Sequence, residues 1–149
     1  MWTVKSFPEL TTNELYTYLQ LRVNVFVVEQ ACPYPELDGY DLASYHLAYI
    51  ENGQVLAYAR ILPAGVKYSR VSIGRVIVEP QARGKGLAKK LMTKAMEFSE
   101  ETWPNAEIQL QAQSHLEHFY HSFGFNRISE DYDEDGIPHV DMLKKENQL

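Results

Sequence analysis

The stretch Val76-Ile77-Val78-Glu79-Pro80-Gln81-Ala82-Arg83-Gly84-Lys85-Gly86-Leu87-Ala88 constrains this chain more than any other. Three consecutive apolar residues read as the end of a strand buried on both faces, and Pro80 stops it. A short basic turn with two glycines follows. It opens into a helical pattern that carries Leu87, Leu91, Ala95 and Phe98 on one face and runs to about Thr102. A buried strand leading through a glycine turn into a helix belongs to an α/β layout. The start of such a helix leaves backbone N–H groups free and adds the positive end of the helix dipole, and glycine lets a ligand approach the main chain. Together these make an anion site, above all for phosphate. Arg83, Lys85, Lys89 and Lys90 place four cations at this point in a chain of 14 basic and 20 acidic residues.

Several function classes fall away. Gly84-Lys85-Gly86 lacks the third glycine of a dinucleotide fingerprint, and no P-loop sequence occurs. A net charge of −6 argues against nucleic-acid binding, which needs a broad basic face. No apolar run is long enough to span a membrane, and Met1 to Lys5 lacks the pattern of a secretory leader. Cys32 is the single cysteine, so no intrachain disulfide forms. The expected location is the cytoplasm. With 149 residues, 45% of them hydrophobic, the chain reads as one domain over 1–149.

The remaining elements follow from periodicity and turn chemistry. Thr11 to Val28 reads as a helix opened by a Thr11/Glu14 capping box. Ala31 to Ser44 is a proline-containing acidic loop. His46 to Ile50 and Val55 to Leu62 are strands around Asn52-Gly53, a hairpin signal. Val71 to Val78 is the next strand. Ala106 to Gln113 alternates, with Ile108, Leu110 and Ala112 on one side. His115 to Phe123 is a short helix closed by Gly124. Phe125 to Ile128 and Val140 to Lys144 form a final pair of strands, joined by an acidic loop from Glu130 to His139.

Two segments then carry a resemblance. Arg83-x-x-Gly86-x-Ala88 after an apolar strand resembles the pyrophosphate-binding motif of the GNAT superfamily of N-acetyltransferases, and Tyr120 followed by Gly124-Phe125 is similar to a second GNAT feature. A fuller likeness, to the ElaA-type branch, runs through Leu21 to Gln30, Ile73 to Val76 and Glu134 to His139. The resemblance implies an α/β GNAT fold: a central mixed, mostly antiparallel sheet with splayed central strands, flanked by helices. It implies acetyl-CoA as donor and an amine acceptor, with no metal. Val76, Ile77 and Val78 would bind pantetheine through backbone groups. Arg83, Gly84, Lys85, Gly86, Leu87 and Ala88 would hold the pyrophosphate. Gln113 stands where many relatives carry a pantetheine-binding Asn. Many GNAT proteins dimerise, which leaves a homodimer open.

For catalysis, Tyr120 is the expected acid for the CoA sulfur, since a phenol can donate a proton. Glu29 and His115 are the candidates for the base, alongside an ordered water. Arg22, Glu36, Asp38, Asp41 and Arg60 form a second constellation. It reads either as a structural ion-pair network or as an acidic pocket for a cationic amine. The same residues, with Phe26 and Leu62-Pro63, are similar to the pattern of acyl-homoserine lactone synthases, an alternative chemistry, and a non-catalytic acyl-CoA-binding module is another. His115, His118 and His121 recur every three residues on a helix and cannot easily converge on a metal.

Overall fold

Asn52 and Gly53 both take left-handed φ, 52° and 75°, the conformation a two-residue hairpin requires. They join β2 (Tyr45–Glu51) to β3 (Gln54–Leu62). The structure, a computed structural model, describes residues 1–145. Around this hairpin grows a sheet of eight strands: β1 (Trp2–Ser6), β2, β3, β4 (Val71–Val78), β5 (Ile108–Gln113), β6 (Asn126–Arg127), β7 (Tyr132–Glu134) and β8 (Ile137–Lys144). The order is β1-β2-β3-β4-β5-β8-β6, with β7 also on β8. Among the described residues only β4 and β5 run parallel; every other pair is antiparallel.

Helices cover both faces. On one, α2 (Leu87–Thr102) buries Leu91, Met92 and Ala95 against Leu47, Ala59 and Ile73. On the other, α1 (Thr12–Arg22) lays Tyr18 and Leu21 against Ala48, Val55 and Tyr58. The Thr11/Glu14 capping box forms: Glu14 N–H donates to Thr11 Oγ1 at 3.1 Å and Thr11 N–H to Glu14 Oε1 at 2.9 Å.

The structure departs from the sequence reading in four places. The first helix is regular only to Arg22; Val23–Glu29 widens into a π-helix, with Gln30 N–H bonded to the Val25 carbonyl and Cys32 N–H to that of Val27. Four valines in that segment crowd a regular helix, and the wider turn relieves them. Trp2–Ser6 is an edge strand whose Trp2 packs on Tyr49 at 4.9 Å. The acidic loop before His139 is the β7–β8 hairpin, turning on Asp135-Gly136 at φ 53° and 83°. The helix read from His115 to Phe123 resolves into a 3-10 turn, Ser114–Leu116, and a short α3 (Glu117–His121).

The end of β4 matters most. Only Ile77 of Val76-Ile77-Val78 is buried; its neighbours are half-buried. The reason is that β4 pairs with β5 only at Val71↔Ile108 and Ser72↔Gln109. Beyond Ser72 the two central strands part. A bulge lies at the point of departure: Arg60 pairs with Gly74 but Tyr58 with Ile77, so β4 carries one extra residue. Arg75 there sits at φ 51°, a left-handed conformation that is costly for a residue with a Cβ.

Candidate functional site

The parting of β4 from β5 opens a cleft of about 740 Å³. Its walls are Gly74 to Val78 on β4, Gln111 and Gln113 on β5, the π-helical segment, and the β7–β8 turn. Eight of the residues singled out from the sequence border it: Glu29, Val76, Ile77, Val78, Arg83, Gln113, His115 and Tyr120. They come from six different elements and turns, so only the folded chain brings them together.

Gly84 to Ala88 lie beside the cleft rather than in its lining, at the start of α2. Gly86 is the N-cap of that 16-residue helix, and no side chain caps it. The first helical bond recorded there is Lys90 N–H to the Gly86 carbonyl, so the N–H groups of Leu87, Ala88 and Lys89 face outward. Gly84 and Gly86 have φ of 81° and 77°, and a Cβ on either would meet nothing within 4 Å. The space over the turn is open, and Lys85 and Lys89 are exposed at its rim. The residues present fit a pyrophosphate-bearing ligand.

Arg83 is engaged within the protein. Its Nε donates to the Val78 carbonyl at 3.0 Å, and its other nitrogens donate to both carboxylate oxygens of Glu29 at 2.6 and 2.9 Å. The hydrogen bonds from Arg83 hold the Glu29 carboxyl below the usual carboxylate range. Glu29 is therefore a weaker base than its position suggests. The Gln113 amide exchanges hydrogen bonds with that of Gln30 at 3.2 and 3.5 Å.

Tyr120 is 6% exposed and packs edge-on against Phe119 and Phe125. Burial pushes its phenol up to about 12. Its hydroxyl has no partner among the described residues. His139, which pairs with Gln113 across β5 and β8, also lines the cleft. Its Nδ1 lies 2.8 Å from the Ile137 carbonyl, which must be met by a donor, so Nδ1 carries the proton and Nε2 is left as an acceptor. Sequence reading could not assign this histidine a role; the Pro138-His139 spacing says nothing of the carbonyl that sets its tautomer.

The second constellation is an ion-pair network. Arg22, 0% exposed, donates to Glu36 and Asp41, both at 2.7 Å. Arg60, 1% exposed, donates to Asp38 at 2.8 Å and Asp41 at 3.1 Å. Arg75, missed from the sequence, completes it with bonds to Glu36 at 2.8 Å and Asp38 at 3.2 Å. Tyr34 adds a hydroxyl donor to Glu36. Each carboxylate expected as bait for a cationic amine is thus held by two arginines. Burial alone would raise Asp38, but the Arg60 hydrogen bonds and charge outweigh it and pull the carboxyl down to about 2. The contacts of Arg75 also account for its backbone: they hold the left-handed bulge that splits the sheet. His46, buried behind the network, accepts from Tyr58 OH at Nδ1 (2.6 Å) and donates from Nε2 to the Asp41 carbonyl (3.0 Å). Among the described residues no group of three His, Cys, Asp or Glu side chains is placed to hold a metal ion.

Comparison with known proteins follows the same lines. A family model described as an acetyltransferase (GNAT) domain matches residues 14–146. Protein ElaA of Escherichia coli K12 is 44% identical over 146 residues, which cover 97% of this chain and 95% of ElaA. The crystal structure of E. coli ElaA superposes with a TM-score of 0.92, covering 97% of this chain and 99% of the other. An acyl-CoA N-acyltransferase from Pseudomonas aeruginosa is 45% identical with a TM-score of 0.94, covering 97% and 98%. BjaI, a CoA-dependent acyl-homoserine lactone synthase, shares the fold alone: its TM-score is 0.81 at 16% identity, covering 99% of this chain and 84% of BjaI.

Proposed function

The chain belongs to the GNAT family of acyltransferases, and from that premise we propose that it moves an acetyl group directly from acetyl-CoA to a primary amine of a small molecule or peptide. One observation carries the reading: β4 leaves β5 after Ser72, beside an uncapped helix start with open glycines. The edge of β4 that loses its strand partner keeps backbone groups free for the amides of a pantetheine arm. Val76, Ile77 and Val78 supply that edge, with the Gln113 amide opposite. The turn from Arg83 through Gly84, Lys85 and Gly86 to Leu87 and Ala88 takes the pyrophosphate.

The reaction forms a C–N bond at the acyl carbon and breaks its C–S bond. One proton leaves the amine and one goes to sulfur. Tyr120 suits the second task, because burial keeps its phenol protonated throughout the neutral range and it borders the cleft. An imidazole on the cleft wall takes the first proton: His139 through its free Nε2, or His115. Glu29, bound by Arg83, serves as a tether rather than a base. The enzyme works in the cytoplasm in this reading; no helix among the described residues is long and apolar enough to cross a membrane.

The test is thermal unfolding with acetyl-CoA, CoA, NADH, ATP and S-adenosylmethionine in parallel. Ligand at a hundred times its Kd stabilises by about 2.7 kcal/mol, which for a chain of this size raises Tm by roughly 5–10 °C. A shift with acetyl-CoA and CoA, followed by thiol release in an amine panel, is the expected result. A shift with S-adenosylmethionine points instead to the homoserine lactone-type chemistry. CoA binding with no thiol release from any amine points to a binding module.

A further inference from the structure

The far side of the cleft holds a cation that the ion-pair network does not use. Arg22, Arg60 and Arg75 are matched by Glu36, Asp38 and Asp41, three charges against three. Lys67, on the connection between β3 and β4, is half-buried and lines the same cleft. Its Nζ donates to Gln111 Oε1 at 3.2 Å and lies over the rings of Tyr68 and Tyr40, 5.4 and 5.9 Å from their centroids. No carboxylate pairs with it among the described residues. Burial, and then the charges of Arg75 and Arg60, make its ammonium easier to deprotonate than an ordinary lysine. Next to it, the Tyr68 hydroxyl is buried and has no hydrogen-bond partner among the described residues. A partly desolvated ammonium without an ion pair and an unmet buried hydroxyl, both on a cleft wall, each carry a free-energy cost that a ligand can relieve.

The chemistry that would satisfy both is a carboxylate. Glu134 at the β7–β8 turn also lines the cleft and forms no ion pair among the described residues, although its charge reaches Lys67 and Tyr68, so the acceptor end presents both signs of charge. Gln111, which Lys67 touches, lies two residues before Gln113 on β5, a distance of about 7 Å along a strand. A group seated on Lys67 thus lies within a few bonds of the place where the strands part.

We propose that the acceptor amine also carries a carboxylate, as an amino acid does, and that Lys67 Nζ and the Tyr68 hydroxyl seat that carboxylate. The naming of the acceptor rests on the acyltransferase reading; the carboxylate seat is a property of the two side chains.

Binding and turnover are therefore measured separately. With CoA present, wild-type protein is titrated calorimetrically with a panel of N-acetyl amino acids and with the matching N-acetyl amino acid amides, which differ only in the charged group. The best acids bind at least tenfold tighter than their amides, as a charge-assisted hydrogen bond predicts. In Lys67→Met this preference falls to about one, and in Tyr68→Phe it weakens by a smaller factor. Unchanged CoA affinity in both variants reports that they are folded. Equal binding of acids and amides by wild type, a preference that survives Lys67→Met, or no binding of any acid overturns the proposal. If acids bind selectively but free amino acids release no thiol from acetyl-CoA, the seat stands and the reading of acetyl transfer to such an amine falls.

Discussion

Arg83 and Glu29 are tied across the mouth of the cleft, with two nitrogen–oxygen contacts of 2.6 and 2.9 Å. The pair fastens the end of the π-helical segment to the end of β4, where the Arg83 Nε also holds the Val78 carbonyl. Both side chains are about two-fifths exposed, at 42% and 41%, so solvent screens the pair and its effect on stability is small.

Glu29→Gln removes the charge and keeps an acceptor oxygen. CoA affinity should stay within about threefold and turnover within about tenfold. A loss beyond 10², the scale of a missing general base, would make Glu29 the base after all. Steady-state kinetics with CoA titration separates the two.

Tyr120→Phe removes a hydroxyl that has no partner among the described residues. The melting temperature should move by only a few degrees, because no buried partner is left unsatisfied. The rate should fall by about 10²–10⁴ with CoA affinity unchanged, the range for a positioned acid. An unaltered rate reduces Tyr120 to packing.

Gly86→Ala and Gly53→Ala form a matched pair. Both positions have left-handed φ, 77° and 75°, and both have room for a Cβ. Each substitution should cost about 1–2 kcal/mol of backbone strain. Only Gly86→Ala should also weaken CoA binding, since its methyl projects over the anion turn. Equal CoA affinities in the two variants dismiss the turn as the pyrophosphate site.

Arg22→Met leaves Glu36 and Asp41 short of a buried counter-charge. Breaking such a pair costs about 3–5 kcal/mol, so Tm should fall by roughly 10 °C or more. A fall of only a degree or two would mean that the network is solvated. A cleaner partner experiment is Lys5→Met: its contact with Glu14 at 2.9 Å lies near the surface and should matter far less.

Acid should weaken the fold in two stages. Burial first, then the charges of Arg22 and Arg60, lower His46. A group with a depressed native value stabilises above its unfolded value and loses that effect as pH falls. His46 therefore begins to cost stability below about pH 6.5. Asp38, pulled to about 2 from 3.8, costs roughly 2 kcal/mol more between about pH 4 and 2. Urea midpoints from pH 8 to about 2 check this: His46→Gln should flatten the first stage and leave the second.

Local elements were readable because their causes are local. The capping box at Thr11, the Asn52-Gly53 hairpin and the glycine opening of α2 each depend on residues a few positions apart. The alternation of Ile108, Leu110 and Ala112 faithfully marked the buried face of β5. The π-helix over Val23–Glu29 was not readable in kind, only as a β-branched run that strains a regular turn. Arg75 was overlooked because a charge beside Gly74 in a strand reads as solvated surface, and its partners Glu36 and Asp38 lie more than 35 residues away in sequence.

The sequence alone determined the α/β order of elements, the glycine turn that opens α2, and the likeness to GNAT proteins, since these rest on short-range spacing and composition. Tertiary structure alone decided where β4 leaves β5, that Arg83 is bound to Glu29, which nitrogen of His139 is free, and that Lys67 forms no ion pair among the described residues. Each of these depends on which side chains from distant segments arrive at one place, and on how little water remains there to screen them.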